Sequence, residues 1–162
     1  VRRAVVESID TIDTELIPEM EKMLNDTSYV NIEMALRKLE KQFPNQAKVY
    51  FEKTKDIHGI SENVRITWLE LQIKETSNPL TKELVDYTSL SYEFRTRVRA
   101  MESLQRMGFY NEQLAINLID ASLNPNSRLA GPAERTITKF VKEDAFKTLL
   151  TNYISSKNWE GW

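Results

Sequence analysis

The chain of 162 residues is 41% hydrophobic and 28% charged, a balance that fits one ordinary globular domain with a buried core and argues against disorder. Its 22 basic and 24 acidic residues leave a net charge of −2, without the basic excess that nucleic-acid binding draws on, and no apolar run approaches the roughly 20 residues needed to cross a bilayer. Neither nucleic acid nor a membrane is expected as a partner. With no Cys, a disulfide framework, a thiolate nucleophile and a cysteine zinc site are excluded, while the compartment stays open.

Residues 1–11 read as a first helix with Val5 and Ile9 inward. Because Val1, Val5, Ile9 and Ile12 already form a helical stripe at the first residue, the chain is expected to be a fragment cut from a larger protein. Asp13 or Thr14 caps a second helix that holds Pro18 in or near its first turn, where the missing amide hydrogen does least harm. Residues 26–44 carry the clearest pattern. Asp26, Thr27 and Ser28 offer oxygens to free amides at a helix start, and Tyr29, Ile32, Ala35, Leu36, Leu39 and Phe43 fall within one core-facing stripe. Gln42, Lys38 and Glu40 lie outside it, and Pro44 ends it. A fourth helix over 45–55 buries Val49 or Tyr50 with Phe51, and 56–62 is a loop centred on Gly59.

The helix over 63–75 has two apolar sides, Val64, Trp68 and Leu71 on one and Ile66, Leu69 and Ile73 on the other, so it is expected between helical layers. Ser77, Asn78 and Pro79 mark a turn before a short helix over 81–90, and Ser91 caps a helix over 92–107 that stops at Gly108. Asn111 caps a helix to about Leu123 that again has two apolar sides, Leu114, Leu118 and Ala121 against Ile116, Ile119 and Leu123. Gly131 and Pro132 interrupt 127–142, and a last helix over 144–155 is apolar on one side, with Phe146, Leu149, Leu150 and Tyr153. Trp159 and Trp162 are expected to pack rather than remain in water.

About ten short helices joined by short turns, without a convincing strand, predict an all-α fold of antiparallel helix pairs. The two-sided helices extend this to a right-handed α-α superhelix, a HEAT/ARM-like solenoid, as a single domain across 1–162. An Arg-x-x-x-x-Glu spacing at Arg2 and Glu7, Arg65 and Glu70, and Arg97 and Glu102 is a candidate repeat mark.

Chemistry has few places to reside. His58 is the one histidine, so neither a His-rich zinc site nor H-E-x-x-H can be assembled, and no phosphate-cradling glycine motif or G-x-S-x-G turn occurs. Arg97 stands apart, projecting from the apolar arc of Phe94, Val98, Met101 and Leu104. A buried guanidinium needs a carboxylate or several carbonyls. Asp86 or Asp120 is the expected partner in a tie between helix pairs; a second reading has Arg97 facing a cavity and meeting a peptide or partner carboxylate, and a third has it snorkelling at the helix end. Arg95, Arg99 and Arg106 read as a solvated face.

The order Asp26, Thr27, Ser28, Tyr29, Ile32, Ala35, Leu36, Leu39, Phe43 and Pro44, then Gly59, Val64, Arg65, Ile66, Trp68 and Leu69, resembles the helical C-terminal domain of zinc aminopeptidases of the aminopeptidase N type. In that family a separate catalytic domain carries H-E-x-x-H, a distant zinc-ligating Glu and a G-x-M-E-N type motif, none of which is in this sequence. The resemblance implies a non-catalytic domain with no catalytic, cofactor-binding or metal residues of its own. Zinc is expected in the catalytic domain, and the expected partners are that domain of the same polypeptide and its peptide substrate. Ile32, Leu36, Leu39, Trp68 and Leu71 are the expected core. The alternative is a free-standing HEAT-like scaffold that binds another protein.

Overall fold

In the computed structural model the described residues are 2–73 and 78–157, and among them the fold is all-helical, with ten α-helices and no strand. The chain divides into two compact units, Val1–Lys74 and Glu75–Trp162. Trp159, Trp162 and Ser77 lie outside the described residues, as do the side chains of Arg2 and Val5. Among the described residues no helix is long and apolar enough to cross a membrane.

In the first unit the helices are α1 (Arg2–Ser8), α2 (Ile17–Lys22), α3 (Tyr29–Gln42), α4 (Ala47–Thr54) and α5 (Asn63–Gln72), with single 3-10 turns at Thr14–Leu16, Met23–Asn25, Pro44–Gln46 and Ile60–Glu62. Helix α3 is the hub, packing against α1, α2, α4 and α5. Its Ala35, Leu36 and Leu39 are buried with Val6, Leu24 and Tyr50 in one core, on which Trp68 and Leu71 are half-buried. Ile32 is buried as well.

The polar residues beside the α3 stripe are not simply solvated. Gln42 accepts from the Ile12 amide at 2.7 Å and donates to the Asp10 carbonyl at 3.0 Å, while the Lys38 ammonium meets the Glu7 and Ile9 carbonyls. These bonds satisfy the chain where α1 stops, earlier than the periodicity suggests, and a cation on the last carbonyls of a helix suits its dipole. The α3 start also differs in detail: no side chain caps it, and Asp26 instead accepts from the Ser28 amide at 2.8 Å in an Asx turn. Tyr29, at the end of the stripe, is exposed, and Asn31, one turn before Ala35, is buried. Of the two α4 candidates Tyr50 is buried and Val49 is 53% exposed.

The second unit holds α6 (Leu80–Asp86), α7 (Phe94–Met107), α8 (Glu112–Ser122), α9 (Ser127–Phe140) and α10 (Asp144–Ser156). Helix α9 packs against both α7 and α8, α10 against α8, and α6 against α7. Gly108 adopts φ 68° at the stop of α7, and Asn111 caps α8 by accepting from the Leu114 amide at 2.8 Å. The α7 cap is Glu93 rather than Ser91: its carboxylate accepts from the Arg95 and Thr96 amides at 2.9 and 3.2 Å, placing a full negative charge at the positive end of the dipole.

Gly131 and Pro132 do not interrupt α9. Pro132 lies inside one continuous helix, forgoing the amide bond to the Arg128 carbonyl, a defect worth about 3 kcal/mol in an isolated helix. Burial of Leu129, Ala133, Thr136 and Phe140 between α7 and α8 outweighs it. Helix α8 is less evenly covered than its pattern predicts. Leu114, Leu118 and Ala121 are buried, Ile116 and Ile119 half-buried, and Leu123 exposed. Tyr110, Phe140 and Phe146 form a ring cluster with centroids 5.3 to 5.5 Å apart, closing α10 onto the unit.

Candidate functional site

Arg97 is 3% exposed. It sits one turn into α7, after the Glu93 cap has fixed the start of the helix, and its side chain reaches two other elements. Nε donates to the Thr88 carbonyl in the turn after α6 at 3.0 Å, and a terminal nitrogen donates to Asp120 of α8 at 2.7 Å. Asp86, the other partner considered, pairs instead with Lys82 at 2.9 Å. The Asp120 side chain is 37% exposed, so the ion pair meets solvent on its carboxylate side only.

A second polar line runs beside it. Gln113 donates to Asn117 at 2.9 Å, Asn117 donates to the Thr88 hydroxyl at 2.7 Å, and that hydroxyl donates to the Val85 carbonyl at 2.7 Å. Thr88 is therefore held from both ends, its carbonyl by Arg97 and its hydroxyl by Asn117. The arrangement joins α7, α8 and the turn after α6 through directional bonds in surroundings where an unmet partner is costly. Asn117 went unnoticed in the sequence, although a carboxamide flanked by Ile116 and Leu118 on a strongly apolar helix is the available signal.

The first unit has its own polar bridge. Arg37 of α3 donates to Thr67 and Glu70 of α5, each at 3.0 Å, and Glu33 accepts from Asn63 at 3.0 Å and Thr67 at 3.2 Å. Two arginines of the Arg-x-x-x-x-Glu spacing, Arg65 and Arg97, have different surroundings. Glu70 pairs with Arg37, Arg65 stacks 4.5 Å over the Trp68 ring and donates to the Lys55 carbonyl, and Arg97 pairs with Asp120.

His58 is exposed, its Nδ1 2.6 Å from Glu62. Its role in the backbone is clearer: the His58 carbonyl accepts from the Val64 and Arg65 amides at 3.1 and 3.2 Å, closing the start of α5. Gly59 allows this loop by adopting φ 80°, and a Cβ there would lie 2.2 Å from Asn63 Oδ1. Arg95 and Arg106 are exposed and Arg99 half-buried. Among the described residues no group of three or more His, Cys, Asp or Glu side chains is placed to hold a metal ion.

Burial, with a smaller contribution from Glu21, raises the pKa of the Tyr50 phenol, a hydrogen bond to Glu143 raises that of Tyr110, and the bond to Glu52 raises that of the Lys55 ammonium. Comparison of the chain with protein-family models, curated proteins and solved structures returns no match.

Proposed function

We propose that the chain is the non-catalytic helical scaffold of a zinc aminopeptidase of the aminopeptidase N type, a HEAT-like solenoid that packs against the catalytic domain and limits peptide access to its cleft. The observation that carries this reading is packing between four pairs of alternate helices, α1 on α3 and α3 on α5 in one unit, α7 on α9 and α8 on α10 in the other. Stacked helix pairs make such contacts because each pair buries its apolar side on the next. In this role Arg97 is a tie between helices, since its Nε–H and one terminal N–H bond to Thr88 and Asp120. No catalytic, metal or cofactor-binding residue is assigned to the chain, and zinc and peptide belong to the catalytic domain.

A second reading, a free-standing interaction scaffold, is favoured by apolar side chains left in solvent, Ile60, Leu90 and Leu123 above all. Incubation of the purified chain with zinc and aminoacyl anilides tests the first reading: it predicts no turnover, and release of the aniline by this chain alone overturns it.

A further inference from the structure

The chain as a whole carries a net charge of −2, yet one side of its first unit gathers cations. Two cavities of about 620 and 410 Å³ share Lys48 and Glu52 on α4. Four cations line them, Lys48, Lys53, Lys55 and Arg65, against two anions, Glu52 and Asp56. Glu52 is engaged by Lys55, and Lys53 by Glu21 at 3.0 Å. Lys48 is exposed and has no ion pair among the described residues.

The larger cavity has an aromatic wall that is already fixed. Trp68 Nε1 donates to the Phe51 carbonyl at 2.9 Å, the two rings meet edge to face at 6.1 Å, and the Arg65 guanidinium covers part of the indole. The exposed Val49 side chain lines the smaller cavity. An apolar wall that needs no rearrangement lowers the ordering cost of binding, and a cationic rim steers and selects an acidic partner.

We propose that this face of α4 docks an acidic peptide segment of a partner protein, an apolar or aromatic side chain entering the Phe51 and Trp68 cavity while flanking carboxylates meet Lys48 and the cationic rim. Glu52 and Asp56 on the same rim disfavour a continuous phosphate backbone, whose charge repeats without gaps. The inference is independent of the aminopeptidase reading, because it rests on the surface of α4 and α5 alone.

The test uses the full chain and an N-acetylated, C-amidated peptide with one Phe flanked by Asp and Glu, so that only side-chain carboxylates are offered. Binding followed by fluorescence anisotropy should saturate, weaken between about 0.05 M and about 0.5 M salt, and fall about fivefold to tenfold in Lys48→Glu. Replacing the peptide's Phe by Ser, or its acids by Lys, should abolish it, and amide shifts should move in α4 and α5. Because the peptide-side changes leave the protein untouched, they decide the matter even where a variant folds poorly. Absence of saturation, equal binding of the Lys peptide, shifts confined to other helices, or binding of phosphatidylserine vesicles or polyuridine in preference to the peptide would overturn the proposal.

Discussion

Replacing Arg97 with Met tests the polar tie in the second unit. The thioether keeps much of the length and apolar stem of arginine but removes both donors, so the Thr88 carbonyl loses its Nε–H bond of 3.0 Å and Asp120 its partner at 2.7 Å. An unmet buried carbonyl costs about 1 to 3 kcal/mol. A stranded carboxylate in a fully buried pair brings the total to about 3 to 5 kcal/mol, but the Asp120 side chain is 37% exposed and water can replace part of the loss. The expected destabilisation is therefore about 2 to 4 kcal/mol, a fall in Tm of roughly 5 to 15 °C at this chain length. Urea and thermal unfolding followed by circular dichroism measure it. Asp120→Asn, which keeps an acceptor oxygen, should cost less, and the double variant should lose less than the sum because both changes break the same bond. A Met variant whose Tm stays within about one degree of the parent refutes the reasoning.

Leu36→Ala removes a fully buried side chain from the hub of the first unit and should cost about 2 to 5 kcal/mol; a loss below that range in urea unfolding would mean the site collapses around the gap. Gly59→Ala forces a side chain into φ 80° and ψ −174° and against Asn63 Oδ1, so it should cost at least about 1 to 3 kcal/mol, whereas an unchanged Tm would contradict this loop geometry. Tyr50 is raised above 10.0 chiefly by burial. Below that value folded and unfolded chains hold the proton alike, and above it the unfolded chain releases it first, so this contribution to stability is lost as pH rises through the folded value. Tyr50→Phe should flatten part of the alkaline decline, and a variant with the parent's slope would remove Tyr50 as its source.

The helical elements were legible wherever one strong local signal acted alone. Gly108 is a left-handed stop, Asn111 a side-chain cap, and the α3 stripe places Ala35, Leu36 and Leu39 in the core. Elements set by tertiary packing were not. Pro132 reads as a break in any window of sequence, but the helices on either side of α9 hold it in register. Periodicity alone leaves Val49 and Tyr50 as alternatives; Tyr50 is the one placed in the core, its hydroxyl held by Gln46 at 2.7 Å. Arg97 was conspicuous because a charge interrupts an apolar arc, yet its partner across 23 residues and the parallel Asn117 to Thr88 line depend on contacts that spacing cannot rank. Lys38 and Gln42 read only as residues outside the stripe for the same reason, since the carbonyls and the amide they meet lie about 30 residues away in sequence.

The central claim, a helical scaffold belonging to a zinc aminopeptidase, is tested most directly by reading the coding sequence upstream of Val1. The account predicts an in-frame catalytic domain with H-E-x-x-H followed by a more distant zinc-ligating Glu. An in-frame start with no such motif, or a domain of another chemistry, would contradict it.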